Sequence, residues 1–161
     1  YCGLINDTGN FSYNNVGERT FQIAGELKKT GIDNEKISEN LFANKSIARL
    51  KLLGYAIDNM VFDSERKFAY TFISREILDK YGAKKEDTEG VVEALRSYEA
   101  CETALLLRED KKGSLKGSLR SKGKDVNKIA AIFGGGGHIK AAGFSSQKSY
   151  EEVVDLIKKN Y

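Results

Sequence analysis

The sequence predicts a mixed α/β chain divided near residue 60. Three observations predict it. Capped segments with apolar residues at helical spacing fill the first sixty residues and return after Thr88. Phe68, Tyr70 and Phe72 alternate with Ala69, Thr71 and Ile73, a period of two that marks a strand. Residues 101–108 and 114–121 flank the turn Asp110-Lys-Lys-Gly113 and read as a second hairpin.

Taken in order, residues 1–5 form a short apolar run expected to be a buried strand, followed by a turn over 6–10. Phe21, Ala24 and Leu27 predict a helix over 18–29 that stops at Gly31. Asp33 caps a second helix carrying Ile37, Leu41 and Phe42. Ser46 caps a third, with Ile47, Leu50, Leu53 and Ile57 on its inner side. The period then changes to two across 61–74, with a turn at Ser64-Glu65. A helix over 88–99 precedes the second hairpin. Asp125 caps a helix presenting Val126, Ile129, Ala130 and Phe133, ended by Gly134. Ser149 and Glu152 form a capping box for a last helix with Val153, Leu156 and Ile157 inward.

Composition narrows the chemistry. The 161 residues include one histidine, His138, and two cysteines, Cys2 and Cys101. Neither a multi-histidine metal centre nor a Cys₄ zinc site can be built from these alone. The two thiols fit a reducing compartment, and no apolar run approaches the ~18 residues of a membrane span. The expected location is cytoplasmic. No basic and apolar leader is visible, and the chain opens on Tyr1 without methionine, which suggests a fragment entered midway through a strand. The net charge of +3 is unevenly placed. Residues 101–161 hold twelve basic against seven acidic side chains, and 111–148 hold nine against one. That basic stretch contains both the glycine run and the histidine, which favours an anion-binding surface.

Three constellations are candidates for function. On the second strand of the hairpin, Lys116, Ser118 and Arg120 share one face while Leu115, Gly117 and Leu119 share the other. A row of ammonium, hydroxyl and guanidinium suits phosphate or carboxylate. Gly134, Gly135, Gly136 and Gly137 exceed what a helix C-cap requires, and their bare N–H groups suggest a nest for an anion beside His138. Neither the Walker nor the dinucleotide-binding glycine spacing is present. Asp7, expected at the C-terminal end of a strand, is a candidate ligand for Mg²⁺ or Mn²⁺. Its Asp-Thr-Gly context also fits an aspartic protease, but no flap hairpin or second such triplet follows.

Together, Gly3-Leu-Ile-Asn-Asp7-Thr-Gly-Asn-Phe11, Gly117-Ser-Leu-Arg-Ser-Lys122, Asp125-Val-Asn-Lys-Ile-Ala130, and Gly134-Gly-Gly-Gly-His138 with Ala141-Ala-Gly-Phe144 resemble the DHH-family phosphoesterases, in particular the nano-RNase and pAp-phosphatase branch. The resemblance runs from Tyr1 to the end. It implies the C-terminal remnant of a DHH catalytic domain with a linker helix over 1–59, then a smaller mixed α/β DHH-associated, substrate-binding domain over 60–161. It further implies a two-metal Mn²⁺ centre and hydrolysis of short oligonucleotides, pAp, or cyclic dinucleotides and their products. Carried over, Asp7 would be a metal ligand. Arg120 with Ser118 or Ser121 would contact phosphate, and Gly135, Gly136, Gly137 and His138 would hold substrate against the metals.

One departure is large: the family's Asp-x-Asp and Asp-His-His motifs should precede Asp7, and only six residues do. One aspartate cannot fix two ions. The expectation is therefore a segment that supplies the nucleotide- and phosphate-binding part of the enzyme, is inactive alone, and does not stably hold Mn²⁺. A non-catalytic module binding nucleotides or single strands is the alternative. Oligomeric state, a homodimer included, stays open.

Overall fold

The computed structural model describes residues 1–111 and 113–161. By internal packing the chain divides into two units, Tyr1–Lys45 and Ser46–Tyr161.

The first unit is helical: α1 (Cys2–Asp7), α2 (Glu18–Lys29), α3 (Asn34–Ser38) and a π-helical turn, Glu39–Ala43. The strand expected over residues 1–5 is instead part of α1. A five-residue apolar run does not by itself separate strand from helix. A strand needs a neighbour for its N–H and C=O groups, and the six strands described all lie in the other unit. Helical bonding satisfies the segment locally: the N–H of Ile5 donates to Tyr1 O at 3.0 Å and that of Thr8 to Leu4 O at 3.2 Å. α2 has the expected bounds, and Gly31 follows at φ +82°. The Asp33 carboxylate accepts from the Lys36 N–H at 3.0 Å, as a cap should. The helix it opens closes at Ser38, and Leu41 and Phe42 fall in the wider π turn.

The second unit begins with α4 (Ile47–Asp58), capped by Ser46 Oγ, which accepts from the Arg49 N–H at 3.1 Å. Its buried face is a correction. Ala48, Leu52 and Ala56 point inward and Leu53 packs half-buried beside them as expected, while Ile47, Leu50 and Ile57 are 69%, 48% and 51% exposed. Apolar residues lie on more than one side of this helix, so periodicity alone does not choose a side. The small alanines let its backbone approach the sheet closely. Then come β1 (Val61–Asp63), β2 (Phe68–Ile73), α5 (Arg75–Lys80) and a 3₁₀ turn, Lys85–Thr88. The helix expected over 88–99 is shorter: α6 (Val91–Arg96) follows Gly90 at φ +87°. β3 (Thr103–Lys111) and β4 (Ser114–Ser121) form the expected hairpin; its turn includes Lys112, which lies outside the described residues. α7 (Val126–Ala131), β5 (Gly136–His138), β6 (Ala141–Ser146) and α8 (Tyr150–Lys159) complete the unit.

The strands form one sheet in the order β1-β2-β3-β4-β6-β5, with only β2 and β3 parallel. Register gives the sheet two unlike faces. On one, Phe68, Tyr70, Leu105, Leu107, Leu119, Ala142 and Phe144 pack under α7 and α8, which contribute Val126, Ile129, Val153 and Ile157. Each of the buried Phe, Leu, Ile and Val side chains among them contributes roughly 1.5–3 kcal/mol by leaving water. On the other, Ala69, Ile73, Ala104 and Leu106 pack under α4, α5 and α6 through Leu52, Leu78, Val91 and Leu95. Those helices cover β2, β3 and, through α6, the Arg120 end of β4. The same face of β4, β6 and β5 carries Lys116, Ser118, Gly143 and Ser145, none of them buried.

Candidate functional site

The uncovered half-face holds a cleft of about 510 Å³. Leu106, Ser118 and Gly143 lie in line across its floor, because Leu106 pairs with Ser118 and Ser118 with Gly143. One step along the strands, Arg108, Lys116 and Ser145 pair in the same way and edge the cleft with positive charge. Thr88, at the end of the 3₁₀ turn, lines it, as do Gly134 and Gly135 after α7. Hydroxyls, small residues and two cations on one open surface make a site for a polar anion of nucleotide size. Lys116 is exposed and forms no ion pair among the described residues. The Arg108 side chain is only 13% exposed, and its Nη1 lies 3.3 Å from Asp110 Oδ1.

The glycine run folds differently from a nest. Gly134 ends the helix at φ +71°, and Gly136, Gly137 and His138 form the edge strand β5 against β6. Two of these glycines are fixed by close approach. A Cβ on Gly135 would stand 2.3 Å from the Gly143 carbonyl oxygen, and one on Gly137 would stand 2.4 Å from that of Ala141. The Gly137 N–H donates to Asn127 Oδ1 at 2.9 Å, tying β5 to α7. The glycines thus admit a tight edge strand.

The expected site residues are only partly assembled. Ser118 and Gly135 line the cleft. Arg120 shares the open face through its pairing with Ala141, and His138 shares it through the same alanine, but neither lines the cleft. Arg120 is held by α6: its Nε donates to Glu93 Oε1 at 2.9 Å and its Nη1 to Leu119 O at 2.9 Å. Ser121 is fully buried on the opposite face. Its hydroxyl donates to Glu102 Oε1 at 3.4 Å and accepts from the Gly123 N–H at 3.1 Å. It braces the loop after β4 and does not face the cleft; period two explains why. Gly136 and Gly137 are exposed on the edge. Asp7 belongs to the first unit, exposed at the end of a helix. No cluster of three or more His, Cys, Asp or Glu suited to a metal occurs among the described residues, which by themselves do not fit a two-metal centre.

Arg108, Thr88 and Ser145 escape a reading of the sequence. Lys116 shows in the period-two row, but Arg108 joins it only through the register of two strands.

A domain family matches this same region: the DHHA1 domain, over residues 65–160. The chain belongs to the DHHA1 family. Every residue lining the cleft lies within the DHHA1 match. The likeness to DHH-family phosphoesterases drawn from the motifs thus holds at family level. The bifunctional oligoribonuclease and PAP phosphatase NrnA of Bacillus subtilis is 30% identical over 157 residues, covering 98% of this chain and 49% of that protein. The Thermus thermophilus protein of that name is 29% identical, with 97% and 48% covered. The crystal structure of an exopolyphosphatase-related protein from Bacteroides fragilis is 34% identical with a TM-score of 0.90, over 97% of this chain and 46% of that one. The DHHA1 chain spans about half the length of the curated relatives it matches.

Proposed function

We propose that this chain is the nucleotide- and phosphate-binding part of a phosphoesterase that hydrolyses short oligonucleotides, pAp, or both. The observation that carries this reading is the open basic half-face of the DHHA1 sheet, where Lys116 and Arg108 edge a floor of Ser118 and Gly143. The names of its relatives point to the same substrates. In this reading Lys116 meets a phosphate directly, and Arg108 meets one by exchanging Asp110 for it. Ser118 supplies a neutral hydrogen bond, and Arg120 and His138 extend the surface toward the sheet edge. Phe133 and Phe144, stacked on each other at 4.2 Å, also line the cleft and offer apolar surface beside the phosphate contacts. Mn²⁺, which would generate hydroxide and neutralise the phosphate in the whole enzyme, requires ligands beyond those found among the described residues. This chain alone is therefore expected to bind without cleaving.

Titrating the chain without metal against a fluorescent 5′-phosphorylated dinucleotide tests the reading. Two phosphate contacts predict a salt slope of about −1.4, a loss of about 7-fold between 50 and 200 mM salt. Lys116→Ala should weaken binding and flatten that slope. Absence of binding at 50 mM salt, or binding indifferent to salt, overturns it. Incubation with Mn²⁺ should release no mononucleotide.

A further inference from the structure

We infer that Glu93 is a positioning residue: from α6 it presets the Arg120 guanidinium for an anion on the open sheet face. The inference rests on the reading of Arg120 as a phosphate contact. A free arginine on a strand samples many rotamers, and an incoming phosphate would have to offset the entropy lost in ordering it. Here two of its five donors are already engaged, Nε with Glu93 Oε1 and Nη1 with Leu119 O, both at 2.9 Å. One hydrogen on Nη1 and both on Nη2 remain for a ligand. Glu93 has a firm base, because its neighbours on α6, Val91, Val92 and Leu95, are 1%, 4% and 1% exposed in the core. The pair itself is open, with side chains 33% and 39% exposed. Such a pair adds little stability, so stability alone does not account for it.

The carboxylate has a contrary effect that makes the idea testable. A negative charge beside an anion site repels the ligand, so if Glu93 acted only through its charge, or competed for Arg120, its removal would tighten binding. As a positioning residue its removal must weaken binding. Glu93→Gln keeps an acceptor for Nε and drops the charge.

The experiment is a mutant cycle on the whole chain with a 5′-phosphorylated dinucleotide at 50 mM salt. Glu93→Ala is expected to weaken binding about 5-fold, the cost of ordering one long side chain. Glu93→Gln should stay within about 2-fold of the parent. In an Arg120→Ala background, Glu93→Ala should change nothing further, an outcome that a merely structural role would not produce. Tighter binding or no change by Glu93→Ala alone overturns the proposal, as does an undiminished loss in the Arg120→Ala background. Unchanged affinity on Arg120→Ala alone instead overturns the phosphate role of Arg120, which keeps the two failures distinct.

Discussion

Gly135 and Gly137 stand where the bare backbone of the glycine run touches β6, and each contact meets a carbonyl oxygen that cannot swing aside. Gly136, between them, has only Asn127 Oδ1 nearby, at an ordinary 3.6 Å. Gly135→Ala and Gly137→Ala should each lower stability by about 1–3 kcal/mol, the usual cost of overpacking. Gly136→Ala should cost about 0.5 kcal/mol or less, as a substitution without strain does. Urea midpoints of the three variants check this, and equal losses would mean that the strand tolerates no side chain anywhere. The two thiols differ in the same local way. Cys2 is exposed, whereas Cys101 is buried, donates to Thr103 O at 3.2 Å, and has its pKa pushed up by burial. Since thiolate is the reactive form, one thiol per native chain should react with a disulfide reagent and two after denaturation.

Individual elements are joined by single side chains, and Asp87 is one such joint. It accepts from the Lys84 N–H at 2.8 Å and from the hydroxyl of Ser46, the cap of α4, at 2.8 Å. Those bonds, the backbone one foremost, hold its carboxyl below the usual range. A depressed carboxylate pKa contributes stability that is present above the unfolded value near ~3.9 and lost as pH falls through the folded value. Asp87→Asn should therefore lower the melting temperature at pH 7, with the gap to the parent closing as pH falls below about 4. A gap that stays constant with pH would show that the charge has no part in it. Elements of this kind were legible in the sequence where a cap preceded a clear helical period: Ser46, Asp125 and Ser149 all cap as the side-chain pattern predicts. The period of two likewise revealed both faces of β4. What failed were segments whose pattern is ambiguous. α1 is too short to show a period, α4 has apolar residues on more than one side, and the Ser74 cap of α5 stands at the end of the segment whose period of two reads as strand. The cleft itself was half legible, because Ser118 and Lys116 lie on one strand while Arg108 and Gly143 reach them only through pairing across three strands.

At the scale of the whole molecule, the two units differ in how much core holds them. The second wraps a six-stranded sheet between two sets of helices, and Phe68, Leu105, Leu107 and Leu119 are completely buried in it. In the first, Ile5 and Thr8 are the only buried residues, and neither α2 nor α3 buries any. α2 has 12 residues and leaves Phe21 58% exposed, although that ring stacks on Phe11 at 5.4 Å. A helix of that length is marginal in water without packing, since nucleation is costly and each added bond returns little. Opening free energies should follow the same division, because local stability tracks buried apolar contact. Amides in residues 18–43 should exchange with deuterium through local opening near zero free energy, whereas those of β2, β3 and β4 should exchange only on global unfolding. Hydrogen exchange read by mass spectrometry on the intact chain measures both. Equal protection in the two units would mean that they open together, and would place the stability of the helical unit outside its own small core.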